Sequence, residues 1–71
     1  MRKFAERLKE LRAEHGLSIL ALGKEIGVSD ATICRWENGI SDIKSDELIA
    51  LADFFSVSTD DLLGYEGRFH K

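Results

Sequence analysis

The sequence predicts an all-α fold, a compact five-helix bundle containing a helix-turn-helix. Three observations carry that expectation. Apolar residues recur at helical spacing throughout, as in Phe4, Leu8 and Leu11. Helix caps and stops punctuate the chain at short intervals (Ser18, Gly27, Ser29, Asn38-Gly39, Ser45, Ser58, Gly64). No proline interrupts any segment, and no alternating run is long enough for a strand.

The first helix is expected from about Arg2 to Glu14, with Phe4, Leu8, Leu11 and Ala5 on its apolar side and Gly16 ending it. Ser18 caps a second helix over Ile19–Ile26. Gly27-Val28-Ser29 then forms a turn. Gly27 accepts a positive φ without steric cost, Val28 plugs the turn from below, and Ser29 caps a third helix over Asp30–Asn38. Gly23 has no side chain, so the third helix can cross close above it. Ser45 is expected to cap the fourth helix, with Asp46 and Glu47 complementing its dipole and Leu48, Leu51, Ala52 and Phe55 facing inward. Ser58 opens a short fifth helix, with Asp61 at capping-box spacing, Leu62 and Leu63 as core contacts and Gly64 at the end.

With 71 residues, the chain is read as one domain spanning 1–71, with its helix-turn-helix core at about 18–38 and residues 65–71 as a C-terminal tail. A single cysteine closes no internal disulfide, and no Cys/His spacing suits zinc, so packing alone must hold the fold. A reducing, cytoplasmic setting is expected, with no signal peptide, no membrane span, no cofactor and no small-molecule ligand. The formal net charge is −3, but it is unevenly spread. Met1–Gly39 carries seven basic and six acidic residues; Ile40–Gly67 carries only Lys44 against seven acids. A basic face for a nucleic acid is therefore thin, and confined to the helix-turn-helix half.

Two short helices joined by a Gly-centred turn are the arrangement that sets a helix into the DNA major groove. Taken in order, Leu17-Ser18, Gly27-Val28-Ser29, Ile33, Glu37-Asn38-Gly39 and Val57-Ser58 to Leu62-Leu63-Gly64 resemble the Cro and phage-repressor family of DNA-binding domains. The resemblance covers roughly Phe4 to Gly64. It implies a five-helix domain whose third helix reads double-stranded DNA and which acts on a two-fold operator as a dimer. It also implies a pair, Arg12 and Glu37, tying the first helix to the end of the third.

Ile33 and Trp36 must point inward, which leaves Asp30, Ala31, Cys34, Arg35 and Asn38 on the outer face of the third helix. Arg35 is the leading candidate for base readout, because its planar fork matches the two acceptors of guanine; a phosphate contact or a solvated charge is the alternative. Ser29, Asp30, Ala31 and Thr32 lie at the end expected to face the bases. Ala31 can meet a thymine methyl and Thr32 a phosphate or base, whereas Asp30 fits a dipole-stabilising role better than a cytosine contact. Backbone contacts are assigned to Ser18, the free peptide N–H of Ile19, Asn38, Ser41 and Lys44. Cys34 reads as a neutral neighbour at that surface rather than a redox sensor. Ile19, Leu20, Ile40 and Ile43 exceed the evident needs of the core.

No enzyme is expected: neither His15 nor His70 has a nucleophile organised around it, and the carboxylates fit caps and solvated faces. The competing function is a protein-interaction module that keeps the helix-turn-helix shape with little DNA binding, an antirepressor- or antitoxin-like partner. A weak homodimer through the fifth helix, Tyr65 and Phe69 is the expected assembly.

Overall fold

The computed structural model describes residues 2–64 and shows five helices: α1 (Arg2–Glu14), α2 (Ile19–Ile26), α3 (Asp30–Glu37), α4 (Ser45–Phe55) and α5 (Thr59–Leu63). Among the described residues there is no strand, and no helix is long and apolar enough to cross a membrane. Tyr65 and Phe69, invoked for dimerisation, lie outside the described residues.

Every helix contributes to one core. Phe4, Leu8 and Leu11 from α1 meet Leu22 from α2, Ile33 and Trp36 from α3, Leu51, Ala52 and Phe55 from α4, and Leu62 from α5. Trp36 packs edge-on against Phe4, with ring centroids 6.5 Å apart, the arrangement in which a ring's positive edge meets the negative face of its neighbour. Of the four surplus apolar residues, Ile19 and Ile43 are half-buried against this core, while Leu20 and Ile40 are exposed.

The α2–α3 turn forms as its residues dictate. Gly27 takes φ +79°, and its N–H and that of Val28 both donate to the Gly23 carbonyl, at 2.8 and 2.9 Å. The same carbonyl thus ends α2 and fixes the direction in which the chain leaves it. Val28 is half-buried beneath the turn. Ser18, Ser29 and Ser58 each accept a peptide N–H three residues on, from Ala21, Thr32 and Asp61, at 3.0 to 3.1 Å.

Three local expectations are corrected. The third helix ends at Glu37, with Asn38 as its cap rather than its last residue. The fourth begins one residue early. The Leu48 N–H already bonds the Lys44 carbonyl, so Lys44 rather than Ser45 is the capping residue. A lysine side chain has no acceptor, and the start of α4 is secured instead by the Glu47 carboxylate accepting the Lys44 N–H at 3.1 Å. Finally, Asp61 does not complete a capping box. Its carboxylate takes a charge-assisted bond from Arg7 Nη2 at 3.0 Å, stronger than one from a peptide N–H, and this joins α1 to α5.

What lies close above Gly23 is the backbone of the Val28-Ser29 turn rather than α3 itself, and it makes a sharp prediction. A Cβ built there would stand 2.6 Å from the Val28 carbonyl oxygen, a backbone atom with no side-chain freedom to move. Gly23→Val should therefore lower stability by about 1–3 kcal/mol as the turn is forced open. The urea midpoint measures it, and a midpoint at or above the wild-type value would show that the crossing is loose.

Candidate nucleic-acid interface

The third helix has a firmly anchored side and a free side. Ile33, Trp36 and Glu37 are buried; Asp30, Ala31, Cys34, Arg35 and Asn38 are exposed, and Thr32 is half-buried at the margin. Eight residues are too few for a helix to persist alone in water, so its geometry is imposed by what it packs on.

The charged anchor is a bidentate pair. Arg12 on α1 donates from Nε to Glu37 Oε2 at 2.6 Å and from Nη2 to Glu37 Oε1 at 3.1 Å. Its remaining arm, Nη1, donates to the Leu17 carbonyl at 2.9 Å. One guanidinium thus joins α1, the residue preceding the Ser18 cap of α2, and the last turn of α3. The Glu37 side chain is only 4% exposed against 22% for Arg12, so the carboxylate depends more heavily on the partnership. The hydrogen bonds to Glu37 push the Arg12 pKa above its ordinary value, against the opposing effect of burial. A raised arginine pKa contributes stability that is present below the ordinary value and lost only beyond it, so the arginine side of the pair is insensitive to pH near neutrality.

The polar groups at the outer face are largely held within α3. Ser29 Oγ accepts the Thr32 N–H at 3.1 Å and lies 2.9 Å from Thr32 Oγ1, so the two hydroxyls bond one another. Asp30 Oδ1 accepts the Ala31 N–H at 2.9 Å. At the other end, Asn38 Nδ2 donates back to the Cys34 carbonyl at 2.8 Å and to Cys34 Sγ at 3.3 Å. Arg35 is exposed and makes no side-chain hydrogen bond or ion pair among the described residues. Of the other candidates, Ser18 caps α2 and Ile19 is half-buried at its start; Ser41 is half-buried and Lys44 exposed in the connection to α4.

Two features escaped the sequence. The Arg7–Asp61 tie joins residues 54 apart, and no local pattern announces it. His15 donates through Nδ1–H to the Leu11 carbonyl, 2.9 Å away, and its ring packs edge-on against Phe55 at 4.9 Å. His15 follows α1 directly, and the Leu11 carbonyl that its ring meets also accepts the His15 peptide N–H at 3.1 Å.

With an anchored helix presenting a free outer face, the arrangement is that of a DNA-binding helix-turn-helix domain. The helix-turn-helix family matches residues 8–62, and the chain belongs to it. Its fold is that of the Cro and phage-repressor type. It superposes on the P22 c2 repressor, solved in complex with a synthetic operator, with a TM-score of 0.81 at 31% identity, covering 87% of this chain and 94% of that one. A transcriptional regulator from Listeria innocua superposes with a TM-score of 0.83 at 35% identity, covering 87% of this chain and 58% of that one. The HTH-type transcriptional activator BcrR of Enterococcus faecalis is 34% identical over 64 residues, 90% of this chain and 31% of that protein. The chain spans about a third of the length of the curated relatives it matches.

The unequal burial of the ion pair predicts unequal mutants. Arg12→Ala strands a buried carboxylate and should cost about 3 kcal/mol, whereas Glu37→Gln leaves Arg12 able to reach water and should cost about half that. Urea unfolding of both variants checks the order. Equal midpoints would show that the unequal burial of the two partners does not set what each loses.

Proposed function

We propose that this chain is a sequence-specific, double-stranded-DNA-binding transcriptional regulator of the phage-repressor type, and not an enzyme. It binds a two-fold operator as a dimer, with α3 in the major groove. The observation that carries this reading is the two-sided character of α3: an inner side locked by Ile33, Trp36 and the Arg12–Glu37 fork, and an outer side on which the Arg35 guanidinium stands without a partner among the described residues. A charged, planar donor on a rigid, exposed helix is what guanine recognition requires. Likeness to a repressor solved on its operator supports the same placement.

Ser29, Asp30, Ala31 and Thr32 open the reading helix, and Asp30 serves it chiefly as a dipole partner. Ser18 and the Ile19 N–H meet the backbone at the start of α2, where peptide dipoles favour an anion. Asn38, Ser41 and Lys44 complete the backbone contacts; Asn38 must release its bond to Cys34 to do so. Two copies spaced about 34–36 Å apart would read two half-sites, joined weakly through the α5 end of the molecule and strengthened by the operator. Such a regulator works in the cytoplasm.

The alternative, a protein-interaction module, is favoured by the acidic stretch after Gly39 and by the exposed apolar side chains of Leu20, Ile40 and Ile49. Selection of bound duplexes from a random pool separates the two readings. A two-fold consensus is expected; an unenriched pool would establish the interaction module instead.

Two measurements follow on the selected operator. Arg35→Ala should lose about 1–3 kcal/mol at one base pair of each half-site while binding random DNA nearly as before, and unchanged operator affinity would remove Arg35 from the reading role. Sedimentation with and without operator should show a weak dimer that DNA strengthens. A one-to-one complex on a two-fold site would overturn the dimer.

A further inference from the structure

The 71 residues hold one asparagine and no glutamine, so Asn38 carries their only side-chain amide, and glycine follows it directly. That amide stands where a helix opens most easily. Asn38 caps α3 and is exposed, and Gly39 follows it in a left-handed turn at φ +70°. A Cβ built at Gly39 would meet nothing within 4 Å, so the space beside the Asn38–Gly39 peptide is open. Two bonds hold the pair in place. The Gly39 N–H donates to the Trp36 carbonyl at 3.1 Å, and Asn38 Nδ2 donates to the Cys34 carbonyl at 2.8 Å. The first closes over three residues, a poorer geometry than the α-helical bond. Helix ends open at small free-energy cost without global unfolding. Once both bonds open, the Gly39 nitrogen can close a five-membered ring on Asn38 Cγ.

We propose that Asn38-Gly39 is a deamidation site of the folded chain, and that its conversion weakens DNA binding as the protein ages. The chemistry needs only water. A solvent base takes the Gly39 N–H proton, the nitrogen bonds to Asn38 Cγ, and the Cγ–Nδ2 bond breaks, the amide nitrogen leaving protonated as ammonia. Water then opens the cyclic imide. Attack at Cγ gives aspartate. Attack at the Asn38 backbone carbonyl gives isoaspartate, whose main chain runs through Cβ and Cγ and is one carbon longer. Either product replaces a neutral donor by an anion at the C-terminal end of α3, where the helix dipole disfavours negative charge. The longer chain also disturbs the Ile40 N–H bond to the Arg35 carbonyl, 2.9 Å long, that closes this end of the helix. The effect on DNA rests on the assignment of Asn38 to the phosphate backbone, which an anion repels.

Intact mass is followed while the protein is held at mildly alkaline pH, native and unfolded in urea. No other side chain has an amide to lose, so the exchange of NH2 for OH reports Asn38, and isoaspartate in the tryptic peptide Trp36–Lys44 locates it. Native protein should convert about tenfold more slowly than unfolded protein, the cost of opening two local hydrogen bonds. Its rate should not change with urea below the unfolding transition, because a local opening exposes little surface. A rate that climbs there, or no native conversion by the time the unfolded protein is spent, would overturn the site. The converted fraction, separated by ion exchange, should bind the selected operator about tenfold more weakly than unmodified protein. Equal affinity would overturn the effect on binding. A pool that yields no consensus would overturn the DNA reading and the binding effect with it, whereas the mass gain tests the site by itself.

Discussion

The guanidinium of Arg12 is the constraint on which the arrangement of the helix-turn-helix depends. The buried core fixes how far α3 stands from α1, but apolar contacts are non-directional and leave an eight-residue helix free to roll or slide. Three hydrogen bonds from one planar group remove that freedom. Two hold the end of α3 through Glu37, and the third holds the Leu17 carbonyl, next to the residue that caps α2. The chain segment entering α2 and the last turn of α3 are thereby referred to the same rigid fork. A lysine, with one compact ammonium, could not serve both at once in fixed geometry.

A second constraint explains how so small a domain can leave one helix face uncommitted. The buried side chains of all five helices converge on one cluster, and among the described residues no buried side-chain nitrogen or oxygen lacks a hydrogen bond. Because packing and polar satisfaction are completed on the inner side of α3, its outer side is not needed for stability. Ala31, Cys34 and Arg35 can consequently be chosen for what they contact, whereas Asp30 and Asn38 also serve the two ends of the helix. The Arg7–Asp61 tie does similar work at the opposite side of α1, securing the short α5, which has too few residues to hold its place by its own backbone bonds.

The charge distribution fits this division. The acids beyond Gly39 lie largely on α4 and α5, and two of them serve the start of α4: Glu47 takes the Lys44 N–H, and Asp46 the Glu47 N–H. A net negative chain can therefore carry a near-neutral helix-turn-helix half. Phosphate attraction would then rest on helix N-termini and a few cations rather than on a broad basic surface, and would be less steep in its dependence on salt.

The sequence by itself determined the helices, their caps and the inward residues, because these follow from local chemistry: helical spacing of Phe4, Leu8 and Leu11, serines that accept N–H groups three residues on, and a glycine that tolerates positive φ. It also determined that Ile33 and Trp36 face inward, leaving Arg35 outside, since the period of a helix permits little else. Local chemistry left two choices open, because each residue concerned can form more than one favourable bond. Lys44 or Ser45 could begin α4, and Asp61 could cap its own helix or pair with a distant arginine. Only the tertiary structure decided those, along with the 2.6 Å approach over Gly23, the third bond of Arg12 to Leu17, and which of the surplus isoleucines are covered. These depend on groups far apart in the chain being brought within hydrogen-bond or van der Waals reach, and no local pattern encodes the distance between them.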